Sequence, residues 1–400
     1  MYLHPSAGFH VMKIVILGGG VAGVSSAIAL KQKGFDVSVY ERHASPSHIG
    51  AGIVVWPNAS YVLAQLGVLS EIEAASGCPA RMRRLSNTNE DLGAVDIGMI
   101  NRQMGYPSFS ILRSDFQDIL LSKLNSLGVA IQYAHTVTNI ETNPNNQAEV
   151  HFQDGSKVYG DVVIGADGRM ASYARQYVHG DNAPVYQQFI NWIGVFESVE
   201  ETFQEIAVAD YWGIGARFGI VPVTKHTAYW AGGVACADIG ARNPAEYKSE
   251  LTSIFSGWPQ PVQAMIHRTP LERINKIFVH DHDPIQSWHK HNLIVLGDAA
   301  HASLPTSGQG ACQALEDAWH FANCLEDNSY DLRRAFVKFT ELRFEKTSNM
   351  IMAARGFAAS LFNQDENFCR ARNENSRNTD FAKMATAISR GWGQNLPLCA

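Results

Sequence analysis

The sequence predicts an α/β protein in which a parallel sheet is interrupted by a mainly antiparallel sheet and followed by C-terminal helices. A glycine-rich turn at 18–23 follows the apolar run Ile14 to Leu17, and a second glycine-containing segment at 297–310 follows Leu293 to Leu296. Each segment has a buried-strand pattern before it and a helical pattern after it. Between them, residues 185–279 have the pattern of aromatic-rich strands. The antiparallel sheet is therefore expected to be inserted into the first domain.

Composition and charge narrow the classes of protein. The chain has 400 residues, so we expect about two domains. Its net charge of -6 includes no block of like charges suited to nucleic acid or to an anionic membrane. No apolar run reaches the ~18 residues of a spanning helix, and residues 1–12 lack the order of a signal peptide. Six cysteines without C-x-x-C spacing predict free thiols, no metal site and a cytoplasmic protein.

The first elements form a βαβ unit. Lys13 to Leu17 is predicted as a strand, Ala22 to Lys33 as a helix that ends at Gly34, and Val37 to Glu41 as the next strand. Further elements are predicted in this order: a loop at Gly50–Gly52, a helix over Tyr61 to Leu66 with Asn58 as its N-cap, strands from Arg81 to Ile100, a helix opened by Arg113, strands over Val129 to Val150, a hairpin at Asp154-Gly155, and a strand over Asp161 to Ile164.

The last quarter of the chain is predicted to be mostly helical. Helices are expected over Ala311 to Leu325 and Leu332 to Phe357, while the polar tail after Asn363 is left open. The expected domain boundaries are as follows: 12–80, 108–183 and 288–330 for the nucleotide-binding domain, 81–107 and 184–287 for the inserted substrate domain, and 331–400 for the C-terminal helical segment.

The first glycine-rich turn matches G-x-G-x-x-G. Gly18, Gly20 and Gly23 allow a tight turn, close approach of backbone N–H groups to a pyrophosphate, and close packing of the helix. Glu41 follows Gly23 by 18 residues, where a carboxylate accepts hydrogen bonds from ribose hydroxyls. The pattern predicts a dinucleotide site; the alternative is an ordinary glycine-rich turn with a surface Glu.

The second segment distinguishes FAD from NAD. Asp298 follows a strand and can accept hydrogen bonds from a polyol chain. Residues 305–310, called the flavin loop below, present backbone N–H groups just before the helix near Ala311. The positive end of that helix favours negative charge on a reduced flavin ring. The alternative is a structural loop in which Asp298 caps a helix.

These motifs resemble those of the class A flavoprotein monooxygenases, the family of para-hydroxybenzoate and salicylate hydroxylases. The resemblance covers Met12 to about Arg355 and includes Gly165-Ala166-Asp167-Gly168. It implies a Rossmann-like FAD-binding domain of the glutathione-reductase type. It also implies a set of cofactor-binding residues, consisting of Gly18, Gly20, Ala22, Gly23, Glu41, Arg42, Arg113, Asp167, Gly168, Asp298, Pro305, Gly308, Gln309, Gly310 and Ala311. The family's usual Ser and Arg after Gly168 are displaced by one residue, to Ser172 and Arg175, which leaves the NAD(P)H contacts there open.

Within the family, several segments are most similar to FAD-dependent urate hydroxylases, in which the positions matching Asn191, Arg217 and Tyr229 line the substrate pocket. Arg217 can offer a two-pronged donor to an anionic ring, Asn191 an amide, and Tyr229 a flat face with a hydroxyl. The alternative places Arg217 in a salt bridge and Tyr229 in the core of the sheet. His301 is more often structural than catalytic in such a setting.

The resemblance implies an FAD-dependent, NAD(P)H-consuming monooxygenase that hydroxylates a small electron-rich aromatic or heteroaromatic compound, urate-like or salicylate-like, with O2 through a flavin peroxide. A flavin-dependent epoxidase and a non-catalytic flavin-binding protein remain as alternatives. We expect no nucleic-acid or membrane partner and a monomer or homodimer. The choice between NADH and NADPH is left open.

Overall fold

The structure, a computed structural model, describes residues 11–46, 51–143, 147–328 and 331–398. Its strands are β1 (Lys13–Leu17), β2 (Asp36–Tyr40), β3 (Gly52–Val55), β4 (Arg81–Ser86), β5 (Asp91–Asp96), β6 (Phe109–Leu112), β7 (Ile131–Gln132), β8 (Val137–Thr142), β9 (Ala148–Phe152), β10 (Lys157–Gly160), β11 (Val162–Gly165), β12 (Val185–Glu197), β13 (Val208–Trp212), β14 (Ala216–Pro222), β15 (Thr227–Ala235), β16 (Ile274–Asp281), β17 (His289–Lys290) and β18 (Leu293–Val295). Gly50, in the predicted loop, lies outside the described residues.

The helices begin and end as follows: α1 (Val21–Gln32), α2 (Pro57–Leu66), α3 (Leu69–Ala74), α4 (Ile97–Met104), α5 (Arg113–Ser126), α6 (Tyr173–His179), α7 (Tyr247–Ile254), α8 (Gln260–Arg268), α9 (Asp298–His301), α10 (Gly310–Asp327), α11 (Leu332–Leu361), α12 (Glu366–Arg377) and α13 (Phe381–Gly393). The predicted helices after Arg113, Ala311 and Leu332 are confirmed. The polar tail after Asn363 forms two more, α12 and α13.

A six-stranded sheet of order β17-β18-β11-β1-β2-β7 forms the first part of the fold. Its pairs are parallel except for the edge pair β17–β18. The central strands are apolar runs because both of their faces are covered; Ile14, Val15 and Ile16 are fully buried. Since β18 lies beside β11, the chain returns to this sheet after leaving it, as the sequence predicts.

A seven-stranded sheet of order β16-β12-β15-β14-β13-β4-β5 forms the inserted part. Every pair is antiparallel except β13 with β4. One face carries Trp192, Phe218 and Trp230, which pack against Leu251 of α7 and Met265 of α8. The mixed α/β fold class with an inserted, mainly antiparallel sheet and C-terminal helices is confirmed.

Two sequence predictions within this part are wrong in detail. Residues 185–279 are not strands throughout, because α7 and α8 cover one face of the sheet. The alternating region from Arg81 to Ile100 holds two strands and then changes to α4 at Ile97, where Asp96 caps the helix by accepting from the N–H of Met99.

Candidate active site

The first glycine-rich turn lies where β1 ends, at the centre of the parallel sheet. Gly18 has a φ of +115°, and a Cβ there would lie 2.2 Å from the carbonyl oxygen of Ala166. A Cβ on Gly23 would lie 2.0 Å from the carbonyl oxygen of Gly18, so α1 packs directly on the turn. A Cβ on Gly20 would meet no atom within 4 Å. Two of the glycines therefore shape the turn, while Gly20 borders open space.

Two helices begin beside open space and are uncapped. α1 starts after Gly20 and α10 after Gln309, and neither helix has a side-chain cap or an acidic residue in its first turn. A Cβ on Gly310 would also meet no atom within 4 Å. The first N–H groups of a helix lack partners inside it and lie at its positive end. These donors fit a dinucleotide pyrophosphate at α1 and the electron-rich edge of a flavin ring at α10.

Glu41, directly after β2, is bonded to the glycine-rich turn. Its Oε2 accepts from the N–H of Gly19 at 2.7 Å, and its Oε1 accepts from the N–H of His43 at 2.9 Å. Burial opposes ionisation of this carboxyl, but the hydrogen bonds and the neighbouring imidazole outweigh it, so the pKa of Glu41 is lowered. Glu41 is therefore a fixed anion beside the turn. Its contact with ribose hydroxyls stays a prediction.

Asp298 lies after β18 at the same edge of the parallel sheet. The Nη1 atom of Arg169 is 3.5 Å from Oδ2 of Asp298. Arg113, the first residue of α5, is near both: burial lowers the pKa of its guanidinium, Asp298 opposes this change, and Arg169 adds to it. The structure thus brings together Arg113 and Asp298, which the family resemblance separately assigns to FAD binding. It adds Arg169, which the sequence prediction missed.

Asp167 and Gly168 follow β11. Oδ1 of Asp167 accepts from the hydroxyl of Ser172 at 2.5 Å, and Oδ2 accepts from the N–H of Ala174 at 3.1 Å. Burial raises the pKa of this carboxyl despite these bonds. Gly168 has a φ of +79° and borders open space. The structure ties Asp167 to the start of α6, and its contact with a cofactor stays a prediction.

The displaced pair Ser172 and Arg175 joins two of the predicted motifs. Ser172 caps α6 by accepting from the N–H of Arg175 at 2.8 Å. Arg175 is buried and donates Nη1 to two carbonyl oxygens of α9, both at 3.1 Å. Arg42 donates to the carbonyl oxygen of Ala171 at 2.9 Å. The segment after Asp167 is therefore bonded both to the turn that carries Asp298 and to the residue after Glu41.

The two glycine motifs touch each other through Gly297 and Ala22. A Cβ on Gly297 would lie 2.7 Å from the Cβ of Ala22. The N–H of Gly297 donates to Oδ2 of Asp317 at 2.8 Å, and Nε2 of His301 lies 2.6 Å from the same oxygen. His301 is buried in this contact, in agreement with its structural alternative.

The flavin loop is held from behind by residues that the sequence prediction did not assign to it. Nε1 of Trp56 donates to the carbonyl oxygen of Gly308 at 2.8 Å. The predicted N-cap role of Asn58 is wrong, because α2 begins at Pro57 and Nδ2 of Asn58 instead donates to Oε1 of Gln309 at 2.9 Å. Gln309 is 1% exposed, whereas Pro305 and Gly308 are exposed. The available sign of this second role for Asn58 was its polar amide side chain at a buried position of the helix.

Asn191 and Arg217 are aligned across the seven-stranded sheet. Asn191 on β12 and Arg217 on β14 both pair with Gly233 on the intervening strand β15. Residues in register point to the same face, so the two side chains flank a glycine. Tyr229 lies four residues before Gly233 on β15 and therefore shares this face. The three predicted pocket residues lie on one face, opposite the face that α7 and α8 cover.

Arg217 is anchored at one end of its guanidinium. Its Nε donates to Oδ1 of Asp210 at 2.6 Å, and Oδ2 of Asp210 accepts from Nε1 of Trp212 at 2.8 Å. A Cβ on Gly219 would lie 3.1 Å from Nη2 of Arg217. Among the described residues, Nη1 and Nη2 of Arg217 have no hydrogen-bond partner. The salt bridge that the sequence left as an alternative is present, and it leaves a two-pronged donor edge for a ligand.

Tyr229 lies between the seven-stranded sheet and β3, which pairs with β6 in a separate two-stranded sheet. A Cβ on Gly52 of β3 would be 2.0 Å from Cδ1 of Tyr229, so the ring rests on that strand. Burial raises the pKa of Tyr229, and the nearby thiol of Cys312 in the first turn of α10 adds to the shift. Tyr229 is therefore a neutral phenol next to the helix that follows the flavin loop.

Aromatic rings close one side of this face. The rings of Phe189 and Phe362 stack with centroids 4.1 Å apart, and a Cβ on Gly233 would lie 2.9 Å from Cζ of Phe362. Leu304, directly before the flavin loop, belongs to the same apolar cluster. Phe362 has no local sign in the sequence, because it follows α11 and meets β15 only through tertiary packing.

A parallel sheet with an open glycine turn, uncapped helix ends and an acid beside a second glycine loop defines a dinucleotide-binding flavoprotein. Residues 11–328 match the family model described as FAD binding domain, and the chain belongs to that family. The predicted family, cofactor and enzyme class are confirmed. The chain is an FAD-dependent monooxygenase, and consumption of NAD(P)H is typical of its family.

Individual relatives belong to the same class of enzyme. An FAD-dependent urate hydroxylase of Mycolicibacterium vanbaalenii is 31% identical over 350 residues, covering 86% of this chain and 87% of the relative. Aurachin C monooxygenase/isomerase of Stigmatella aurantiaca is 30% identical over 340 residues, covering 85% and 87%. The solved structure of Klebsiella pneumoniae HpxO with FAD and uric acid has a TM-score of 0.87 and 27% identity, covering 95% of this chain and 96% of that one.

Two further predictions concern membrane-spanning segments and the state of the cysteines. None of the helices in the described ranges has the length and apolar character that crossing a membrane requires. The five cysteines within the same ranges are free thiols, and Cys399 lies outside them.

Proposed function

We propose that the enzyme hydroxylates a small, electron-rich aromatic or heteroaromatic compound, urate-like or salicylate-like, with NAD(P)H and O2 as co-substrates. The reaction is proposed to take place where the polar face of the seven-stranded sheet meets the flavin loop. Support comes from the urate hydroxylases among the relatives and from the chemistry of Asn191, Arg217 and Tyr229.

The observation that carries this proposal is the free edge of Arg217. Asp210 occupies Nε, so Nη1 and Nη2 remain for one planar acceptor pair, such as a carbonyl oxygen and an unprotonated ring nitrogen of an oxidised purine, or the two oxygens of a carboxylate. Oδ1 of Asn191 and the ring of Phe362 lie over Gly233, and the guanidinium of Arg217 lies over Gly219, so the two glycines let these groups approach the sheet closely. Asn191 can donate and accept at the same ring edge, since its side chain lies on the other side of Gly233.

The cofactor is proposed to lie across the ends of β1, β11 and β18. The N–H groups at the start of α1 would hold its pyrophosphate, Glu41 its ribose, and Asp298 with Arg113 its ribityl chain. The flavin loop and the first turn of α10 would hold the ring, with Ala311 inside that turn. Gly20, Gly168 and Gly310 support this placement because each borders open space.

Bound FAD supplies the activation of O2 and the transfer of one oxygen atom to the substrate. The chain's own residues hold the substrate ring and keep water away from it. Tyr229, as a neutral phenol, can donate a hydrogen bond to a substrate oxygen without adding charge. The stacked rings of Phe189 and Phe362 close the apolar side, which would keep water from the ring and limit release of H2O2 without hydroxylation.

The test is NAD(P)H consumption by the purified FAD-bound protein with urate, hydroxynicotinates, salicylate and hydroxybenzoates, with peroxide release measured in parallel. We expect one compound to stimulate flavin bleaching and to be oxidised in equal amounts with NAD(P)H, with little H2O2. If no aromatic compound stimulates bleaching, the proposed substrate class is wrong, although FAD binding stands. A monomer or homodimer and a cytoplasmic location stay predictions, which light scattering and cell fractionation can check.

A further inference from the structure

The last helix of the chain lies against the back of the flavin loop. The rings of Trp392 in α13 and Trp56 are in contact, with centroids 4.7 Å apart. Nε1 of Trp56 in turn donates to the carbonyl oxygen of Gly308 at 2.8 Å. Only one side chain therefore separates α13 from the loop proposed to hold the flavin ring. We use the name terminal strap for residues 381–394, which comprise α13 and Gln394.

A second set of contacts joins the terminal strap to the next residue of the loop. Nζ of Lys346 donates to the carbonyl oxygens of Trp392 and Gln394 at 2.6 and 3.0 Å. The same Nζ donates to both carboxylate oxygens of Glu316 at 2.9 and 2.8 Å. Oε1 of Glu316 accepts from Nδ2 of Asn58 at 2.7 Å, and that Nδ2 also donates to the side chain of Gln309. Two separate series of contacts thus connect the terminal strap with Gly308 and Gln309, which are consecutive in the flavin loop.

The cluster beneath these contacts is buried and charge-balanced. Glu316 and Asp317 carry negative charge, Arg343 and Lys346 positive charge, and none of the four is more than 3% exposed. Burial lowers the pKa of Lys346, while Glu316 opposes that shift. A buried ammonium needs all of its hydrogen-bond partners, and two of those described for Lys346 are carbonyl groups of the terminal strap. The strap therefore completes the cluster that supports Asn58 and Gln309.

We propose that Trp392 is a positioning residue for the flavin loop and that the terminal strap, through Trp56 and Lys346, fixes the backbone of Gly308 and Gln309 for the flavin ring. The inference rests on the proposed function only in placing the ring at this loop. Displacing the strap releases the carbonyl of Gly308 and the side chain of Gln309, so the flavin ring loses fixed neighbours. The contacts proposed for the pyrophosphate are not changed.

Trp392→Ala, Trp392→Phe and Trp56→Phe test this proposal in the full-length protein. Trp56→Phe keeps the ring stack but removes the one bond to Gly308. We expect about fivefold weaker FAD binding, the factor that one net hydrogen bond contributes, together with a shifted flavin absorption band. Trp392→Ala should weaken FAD binding and shift the flavin band more than Trp56→Phe does. Trp392→Phe should have an FAD affinity and a spectrum close to those of wild type. FAD titration by flavin fluorescence and absorbance spectra give both readouts without any substrate.

The matched control is Ile388→Ala, in the same helix. Ile388 packs with the apolar cluster of Val95, Ile100 and Met104, which Trp392 also contacts, but the ring contact with Trp56 is made by Trp392. This variant should lower the melting temperature of the apoprotein and leave FAD affinity and spectrum unchanged. The proposal fails if Trp56→Phe and Trp392→Ala bind FAD with wild-type affinity and spectrum, or if Ile388→Ala changes both equally. Neither result depends on which compound the enzyme oxidises, so failure of the proposed substrate class is a separate outcome.

Discussion

The two halves of the site are built from different parts of the polypeptide. In the cofactor half, the donors are main-chain N–H groups at the starts of α1 and α10, and glycines leave the space around them. In the proposed substrate half, the groups expected to face the ligand are the side chains of Asn191, Arg217 and Tyr229 on three neighbouring strands. A substitution disturbs a main-chain site when the new side chain fills space or moves the backbone. It disturbs a side-chain site when it removes or replaces the functional group. Five changes to the protein or its conditions test this difference.

Gly23→Ala should have the largest effect. Its methyl group would lie 2.0 Å from the backbone oxygen of Gly18, and a backbone atom in a packed turn cannot move aside. We expect a loss of about 3 kcal/mol in the free energy of unfolding and no recovery of FAD-bound protein. Thermal unfolding and the flavin content of the purified protein measure the two effects.

Gly20→Ala is the matched control for that prediction, because a Cβ at Gly20 meets no protein atom within 4 Å. The apoprotein should be as stable as wild type. FAD should bind about a hundredfold more weakly, since the methyl group enters the space proposed for the pyrophosphate. Wild-type affinity in this variant would mean that the pyrophosphate lies elsewhere.

Arg217→Gln should affect only the substrate half. We expect kcat/KM to fall about a hundredfold, because the charged two-pronged donor is lost, with FAD affinity unchanged. Steady-state kinetics with the compound that the function assay identifies, and FAD titration, check the two parts. Undiminished kcat/KM would remove Arg217 from the substrate site.

Asp210→Asn should have a smaller effect of the same kind. Asp210 is 4% exposed and holds Nε of Arg217, so its amide variant leaves the guanidinium less well oriented. We expect about a tenfold lower kcat/KM. The double variant with Arg217→Gln should be no worse than Arg217→Gln alone, because Asp210 acts through Arg217. Additive losses would show that Asp210 has an independent role.

The smallest effect is expected from pH at Glu41, the carboxylate of the cofactor half that is bonded to the glycine turn. Its pKa is lowered in the folded protein from an ordinary value of 4.5. Its contribution to stability is therefore present above that value and is lost as the pH falls through the lowered pKa. Urea midpoints of wild type and Glu41→Gln should differ at pH 7 and converge in acid. A constant difference at all pH values would contradict this assignment.

The same contrast explains what the sequence could predict. The turn at Gly18–Gly23 is a local pattern in which Gly18 and Gly23 have steric reasons within the protein, so the βαβ unit and a dinucleotide site could be inferred from residues close together in the chain. The choice of FAD depended on the second segment, 297–310. Asn191 and Arg217 meet only because β15 runs between their strands, and this register is not visible in either segment. The family resemblance, rather than any local pattern, singled out these positions.

Other features were missed for related reasons. Asn58 had the residue type and position of an N-cap, but a buried partner, Glu316, lies far along the chain and binds its side chain. The helices α7 and α8 lie within a stretch rich in aromatic residues that was interpreted as strands. Pro261 in the first turn of α8 was a local sign of a helix start. The contact between Trp56 and Trp392, which are far apart in the sequence, has no sign in either local segment.

The late return of the chain to the parallel sheet bears on how the holoenzyme is made. A nascent polypeptide leaves the ribosome from its amino end, so β18 and Asp298 can join β11 only after the whole inserted sheet has been synthesised. Until then the first glycine turn lacks the neighbour that Gly297 provides for Ala22. Loading of the vitamin-derived prosthetic group therefore has to wait for this segment, and a truncated product that stops before residue 293 should be released colourless.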